Sequence, residues 1–399
     1  MGLKGKFDKL LRWGKIWLAQ FAVVKMPNAR CEKKSGKVLV IKSDAIGDFL
    51  IWLDSAKELK GLYKDKSIVL LCSSPCVHIA QVTGYFDEIL TLNIRKFESD
   101  GTYRKGIIEQ FGSLSFDVLI QTAFSRTVHM DMLAAVIPAA EKIGLVSDES
   151  RTNLSRYIVT KSNKKKLDSI YDKLIPVTDQ WLMEVKRNGE LIRGLGKKDF
   201  KTGMPVLKPY DAKAVIIPKG DYFVIFPGAS TPKKMWNIKN FAEIADYVSE
   251  KTGWRAYACG SRDEQYLYER LDRTTVVDYF GKTTLTELAE VIRHARLVIS
   301  NDTSGIHFAA AVNTPSVCIL GEYNYGRFLP YDYDREYGSE LKPMIVCHAD
   351  MPCKRCASGK MTSECNACMA STGRYLCVEK VTVSQVKEAV DRIINSYEV

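Results

Sequence analysis

A chain of 399 residues is longer than one hydrophobic core usually grows, so two domains of roughly 150 to 200 residues are expected. Hydrophobic residues at 46% and charged residues at 26% are ordinary globular values, and the absence of any run of about 18 apolar residues excludes a membrane-spanning helix. The net charge of +11 is unevenly spread: residues 1–36 hold seven Lys and two Arg against Asp8 and Glu32, a net +7, so the excess belongs mainly to an N-terminal arm.

Within that arm, Leu3, Phe7, Leu10, Leu11, Trp17, Leu18 and Phe21 recur at roughly helical spacing among Lys4, Lys6, Lys9, Arg12 and Lys15. The pattern is that of an interfacial amphipathic helix, so residues 1–25 are expected to meet an anionic membrane surface; docking of the apolar face on the rest of the chain is the alternative. The apolar stretch is too short and too charged for a secretory signal, and Lys6 stands where a myristoylation signal needs Ser or Thr.

The apolar run at 37–41 predicts a buried strand, followed by a polar loop at 42–48 and a helix over 49–59. Further strands are predicted at 67–72, 88–92 and 118–121, with a helix at 128–137. Residues 151–220 are polar and basic, carry Lys164, Lys165 and Lys166 and are punctuated by Pro205, Pro209 and Pro218; they read as a solvated face plus an interdomain linker. A second unit then opens with a strand at 222–226. It continues as helix 238–250, strand 255–259, helix 264–271, strand 275–278, helix 285–294, strand 297–300, helix 306–312 and strand 316–320. Alternation at these lengths implies two doubly wound parallel sheets, expected to face each other across a cleft.

Ligands of such sheets bind outside the carboxyl ends of the strands, where loops enter helices whose first N–H groups lack intrahelical partners. Three loops qualify. In 301–307, Gly305 allows close backbone approach and Thr303 and Ser304 can donate to phosphate oxygens, whereas Asp302 suits sugar or ribose hydroxyls; a simple helix cap by Asp302 or Ser304 is the alternative. In 227–236, Gly228 and Ser230 sit in a tight turn, Lys233 and Lys234 supply charge, and Trp236 offers a flat apolar surface to a base. In 43–48, Asp44 and Asp48 are carboxylates, and Asp48 at a helix start can serve as general base or as an ordinary N-cap. The Walker pattern and the Gly-x-Gly-x-x-Gly fingerprint are both absent, so nucleotide hydrolysis and hydride transfer lose support.

Together, Ile46-Gly47-Asp48, Pro227-Gly228-Ala229 with Lys234-Met235-Trp236, and Asn301-Asp302-Thr303 through Gly305 and His307-Phe308-Ala309-Ala310-Ala311 resemble glycosyltransferase family 9, the ADP-heptose:lipopolysaccharide heptosyltransferases. The resemblance runs over about residues 37–380, in the same order. It implies a GT-B fold of two Rossmann-like domains, an acceptor domain at 37–205 bearing the catalytic base and a nucleotide-sugar donor domain at 206–345, after the arm at 1–36 and before a Cys-rich segment and C-terminal helix at 346–399. It further implies an inverting, metal-independent enzyme that moves a heptose or related sugar from an ADP-type nucleotide sugar to a glycolipid or saccharide acceptor, at the cytoplasmic side of the bacterial inner membrane. By motif position Asp48 is the base, Lys234 a phosphate contact, and Asp302, Thr303 and Gly305 part of the donor site. Glu264, after Cys259-Gly260-Ser261, falls where the family often carries an acidic residue near the nucleotide, and His307 is either a hydrogen-bonding residue of the loop or a packed helix residue. Two departures stand out: the family's Lys-x-Trp-Pro is Lys234-Met235-Trp236-Asn237 here, and its Asp-Thr-Gly is Asp302-Thr303-Ser304 with Gly one place later.

Six of eleven cysteines lie between Cys347 and Cys377. Cys353-x-x-Cys356 and Cys365-x-x-Cys368 have the spacing of paired knuckles that can close round one tetrahedral zinc ion, with Cys347, His348 and Cys377 as further candidate ligands; disulfides or free thiols are the alternative. Cys259 and Cys318, in apolar runs, read as buried small hydrophobes. No cofactor is expected for catalysis. Two other function classes compete: a catalytically silent sugar-nucleotide-binding protein, and a nucleic-acid-binding zinc protein suggested by basic charge and knuckles. The confinement of charge to the arm argues against nucleic acid as a partner.

Overall fold

Two six-stranded parallel sheets grow from the apolar runs of the chain in its computed structural model, which describes residues 26, 28–32, 35–147, 161–178, 182–210, 217–271, 275–351 and 373–397. The first sheet contains β1 (Lys37–Lys42), β2 (Ser67–Ser73), β3 (Glu88–Leu92), β4 (Phe116–Gln121), β5 (Ala139–Leu145) and β6 (Lys173–Ile175) in the order β3-β2-β1-β4-β5-β6. The second contains β7 (Tyr222–Phe226), β8 (Arg255–Ala258), β9 (Val276–Asp278), β10 (Leu297–Asn301), β11 (Ser316–Ile319) and β12 (Met344–Cys347) in the order β12-β11-β10-β7-β8-β9. Central strands are buried on both faces, as β1 shows with Val38 through Ile41 wholly inaccessible; this requires helices on either side of each sheet.

The chain falls into two compact units. One comprises Met1–Ala45, Ser55–Leu182 and Arg187–Phe200 and holds the first sheet; the other comprises Ile46–Asp54, Met183–Lys186 and Lys201–Val399 and holds the second. The core of the second unit joins Phe223, Ile225, Ile299, Val317 and Ile319 to helix Ile238–Thr252 and to the C-terminal helix Val383–Asn395, which contributes Val386, Ala389, Val390, Ile393 and Ile394. That last helix starts at a capping box in which Thr382 and Gln385 exchange side-chain and backbone bonds.

In each sheet the strand order reverses once. The second sheet runs β7, β8, β9 to one side and resumes with β10 against β7, with Leu297 opposite Phe223 and Ser300 opposite Phe226. The reversal leaves a crevice at the carboxyl ends of β7 and β10, because the loops leaving these neighbours diverge.

Several expectations change. The stretch 151–220 is more than linker and solvated face, since its described part contains helix Lys161–Asp168, edge strand β6 and helix Glu184–Gly194, whose Val185, Arg187, Leu191 and Ile192 are buried. Arg187 hides there because its guanidinium lies 3.7 Å above the Phe124 ring and donates to the Leu182 carbonyl. The helix expected at 306–312 begins earlier, at Ser304, and that expected at 264–271 is a 3-10 turn over Arg262–Glu264 followed by helix Tyr266–Leu271. Residues 1–25 and Cys353, Cys356, Cys365 and Cys368 lie outside the described residues. Among the described residues no helix is long and apolar enough to cross a membrane.

Candidate functional site

The loops that leave β7 and β10 stand together at the crevice of the second sheet, tied by one side chain. Asn301, the last residue of β10 and fully buried, accepts from the Trp236 backbone N–H at 3.0 Å and donates through Nδ2 to the carbonyls of Pro227 at 2.8 Å and Gly228 at 3.3 Å. A buried amide is tolerated when its donors and acceptor are all used, and here each is matched. In the sequence Asn301 opens the 301–307 loop with no separate role assigned to it, and a carboxamide ending a buried strand needs local partners of this kind.

Asp302 follows. Its carboxylate, only 5% exposed, accepts from Asn324 Nδ2 at 2.5 Å and pairs with Lys234 Nζ at 3.4 Å. The Lys234 ammonium in turn lies 4.6 Å from the centre of the Tyr323 ring. Burial, then the Asp302 charge, pushes the Tyr323 hydroxyl well above its ordinary range. Asp302 is thus a fixed, charge-compensated carboxylate, and Lys234 a cation with one face on an aromatic ring. Asn324 and Tyr323 belong to an aromatic-rich segment whose spacing matches neither strand nor helix, so periodicity gave no signal for them.

Thr303 is the N-cap of helix Ser304–Ala311 and makes no side-chain cap bond; Thr303 and Ser304 are half-buried. The first N–H groups of that helix lie beside Lys234 and Asp302, the electrostatic setting in which helix N-termini receive anions. At Gly305 a side chain of the protein itself comes close, since a Cβ there would lie 2.5 Å from Phe226 Cδ2 at the end of β7. Gly228 is likewise pressed by a side chain, since a Cβ on it would collide with Glu264 Oε1. Glu264 closes a capping box, its Oε2 accepting from the Ser261 N–H at 2.9 Å and hydroxyl at 2.7 Å while Oε1 turns to Gly228. Ser230 is exposed on the same loop.

Trp236 does not present a face to a base. It is 2% exposed, packs edge-on against Phe241 and donates Nε1–H to the Val381 carbonyl at 2.8 Å, because the loop turns inward to reach Asn301. His307 is both a hydrogen-bonding and a packed residue: 5% exposed, with Nδ1 bonded to the Tyr331 hydroxyl and its ring beside Phe328 and Tyr331. Burial, with the Lys234 charge, lowers its pKa to about 4, so the ring is neutral near pH 7.

Asp48 occupies the third position of helix Ile46–Ala56, inside the first turn rather than at the N-cap, and is half-buried. The preceding Gly47 abuts His307, whose Cδ2 would lie 2.7 Å from a Cβ on Gly47. Asp44 is paired with Lys42 at 2.6 Å. Cys347 and Cys377 are embedded in the apolar core, and burial raises the Cys347 thiol to about 11. Cys259 and Cys318 are buried, as expected, with thiols raised by desolvation. Among the described residues no cluster of three or more His, Cys, Asp or Glu could hold a metal ion.

The sequence profile of glycosyltransferase family 9 (heptosyltransferase) matches residues 132–353. The chain is 24% identical over 305 residues to lipopolysaccharide heptosyltransferase 3 of Escherichia coli K12, an alignment that spans 71% of this chain and 82% of that protein. Among solved structures, the E. coli ADP-heptose lps heptosyltransferase II superposes with a TM-score of 0.63 at 16% identity over 91% of this chain and 100% of that one. The iron-containing dodecameric glycosyltransferase TibC of enterotoxigenic E. coli H10407 superposes with a TM-score of 0.54 at 16% identity, covering 92% of this chain and 77% of TibC. These likenesses identify the fold as GT-B, with two Rossmann-like halves.

Proposed function

We propose the following reaction for this chain, which belongs to glycosyltransferase family 9 (heptosyltransferase) and is a glycosyltransferase: transfer of a heptose from ADP-heptose to a saccharide hydroxyl of lipopolysaccharide, with inversion. The acceptor oxygen forms a bond to the anomeric carbon as that carbon's bond to the diphosphate breaks, and ADP leaves with the bonding pair. Asp48 takes the hydroxyl proton. A base that accepts a proton in the transition state contributes about 10²- to 10⁴-fold. Attack opposite the leaving group inverts the anomeric centre.

One observation carries the reading: in a member of this family, Lys234, Asp302 and the N-terminus of helix Ser304–Ala311 converge at the switch point of the second sheet. Lys234 and the helix N–H groups are assigned to the diphosphate, where they hold the leaving charge without a metal in the step. Asp302, already clamped through Oδ2, is assigned to sugar hydroxyls, and Gly228, Ser230, Glu264, Thr303, Ser304 and Gly305 to the rest of the donor site. In this scheme residues 37–205 hold the acceptor and 206–345 the donor.

Asp48→Asn decides the mechanism. Turnover with ADP-heptose should fall at least 100-fold while ADP binding by calorimetry stays within twofold; unchanged turnover overturns the assignment of the base. Wild-type turnover should need no added divalent metal ion. Residues 1–25 are proposed to hold the enzyme on the cytoplasmic face of an anionic membrane, so their deletion should abolish retention on phosphatidylglycerol vesicles. Cys353, Cys356, Cys365 and Cys368 are proposed to hold a structural zinc, with the iron of TibC as the competing outcome of elemental analysis.

A further inference from the structure

Helix Ile46–Ala56, which carries Asp48 and whose residues Ile46–Asp54 belong to the second unit, packs within that unit along a single face. Gly47, Ile51 and Asp54 follow each other at four and three residues, one helical stripe, and each meets a different part of the unit. Gly47 lies against the His307 ring, with 2.7 Å to Cδ2 and 3.3 Å to Nε2 from the position of a Cβ. Ile51 packs with Met183 and Val185 against Phe328, Tyr331 and Tyr333. Asp54 pairs with Arg335 and accepts from the Gly203 N–H at 2.7 Å.

The first contact is close, and the histidine that makes it is held in place. His307 is held by the Tyr331 hydroxyl at Nδ1, and Tyr331 is stacked on Tyr333 with 5.3 Å between ring centres. Its helix begins at Ser304, directly after Asp302 and Thr303, so the ring belongs to the same rigid element as the donor loop. Nothing larger than hydrogen fits on Gly47 unless the helix moves away or His307 swings out. Asp48 is the next residue, and a displacement at Gly47 is passed to it through one peptide unit.

We infer that His307, fixed by Tyr331, is a positioning residue that sets the depth of Asp48 through contact with Gly47, so that the loop which receives the donor also seats the base. This rests on the assignment of Asp48 above. A misplacement of about 1 Å can cost on the order of 100-fold in rate. The seat therefore bears on kcat and leaves donor affinity to Lys234 and Asp302.

The test is a steric cycle in the full-length enzyme, with ADP as the binding probe and ADP-heptose turnover as the rate. Gly47→Ala should lower kcat tenfold or more with ADP affinity within twofold. Adding His307→Ala, which vacates the space for the new methyl, should raise kcat above that of Gly47→Ala alone, a reversal of sign that general destabilisation does not produce. Where His307→Ala fails to fold, Tyr331→Phe frees the ring and should give a smaller rescue. Wild-type kcat in Gly47→Ala overturns the inference, and so does a loss that no second substitution rescues. Asp48→Asn run alongside separates the two claims: if it keeps turnover the base assignment fails, whereas if it is inactive while Gly47→Ala is fully active only the positioning fails.

Discussion

Asn301 tests whether the two site loops are one unit. Replacing it with Ala leaves the buried Trp236 N–H and Pro227 carbonyl without their partner, at about 1 to 3 kcal/mol each, so about 2 to 6 kcal/mol in all. Asn301→Asp is more discriminating. The carboxyl retains the acceptor for Trp236 but faces two carbonyl oxygens, at 2.8 and 3.3 Å in the wild type, that require a donor. When ionised it is repelled and buried; when protonated it can donate. Its folded pKa must therefore rise above the ordinary value of about 3.9. A group so raised contributes stability that is fully present below the unfolded pKa and is lost as pH rises through the folded one. The deficit of the variant against wild type should accordingly be small near pH 4 and widen toward pH 7, whereas Asn301→Ala should show a deficit nearly independent of pH. Unfolding midpoints at pH 4, 5.5 and 7 measure both, and ADP calorimetry should show weaker binding as Lys234 loses its register with Asp302. An Asn301→Asp enzyme indistinguishable from wild type at pH 7 in stability and ADP affinity would refute the reasoning.

Gly305→Ala places a methyl 2.5 Å from Phe226 and should cost about 1 to 3 kcal/mol by overpacking, with Phe226→Leu restoring part of the midpoint in the double variant; additive losses would show that the contact is not the cause. Lys142, buried in β5 with Nζ donating to Asn28 Oδ1 and the Ala135 carbonyl, is lowered by burial and then by Arg30 to about 7. Between pH 7 and 10.5 the unfolded chain binds its proton and the native chain does not, so stability should rise across that window; in Lys142→Met the rise should be absent. Burial, followed by the Arg104 charge, lowers His129 to about 4, so protonation of the unfolded chain removes stability as pH falls from 6.5 to 4. His129→Asn should flatten the acid limb of the unfolding curve over that range, and an unchanged limb would count against burial as the cause.

The strands were legible where both faces are apolar. Residues 222–226 were expected as a strand and β7 spans Tyr222–Phe226, because a run of Tyr, Phe, Val and Ile has no polar face to offer solvent. β5 escaped notice because Glu141 and Lys142 interrupt it, one exposed and one buried with its ammonium satisfied by Asn28 and Ala135. Helix Glu184–Gly194 escaped for a related reason, since composition counts Arg187 and Glu190 as surface residues and cannot register a guanidinium stacked on Phe124.

The same limit applies to the glycines of the motifs. Spacing placed the loops correctly at strand ends, and the switch-point rule then says where a ligand can enter, but a glycine signals only that something approaches closely. At Gly228 the approaching group is Glu264, at Gly305 it is Phe226, and at Gly47 it is His307, three side chains of the protein itself. At Gly228 and Gly305, in loops of one sheet that converge on one crevice, the missing Cβ removes a collision between the elements that line it, and at Gly47 it lets the helix after β1 pack on the His307 ring. Convergence of side chains is thus a sufficient reason for all three glycines, and contact with a phosphate is not needed to account for any of them. A ligand role for these loops therefore rests on Lys234, Asp302 and the helix N-terminus, which is why the decisive substitutions are those that change charge or position there.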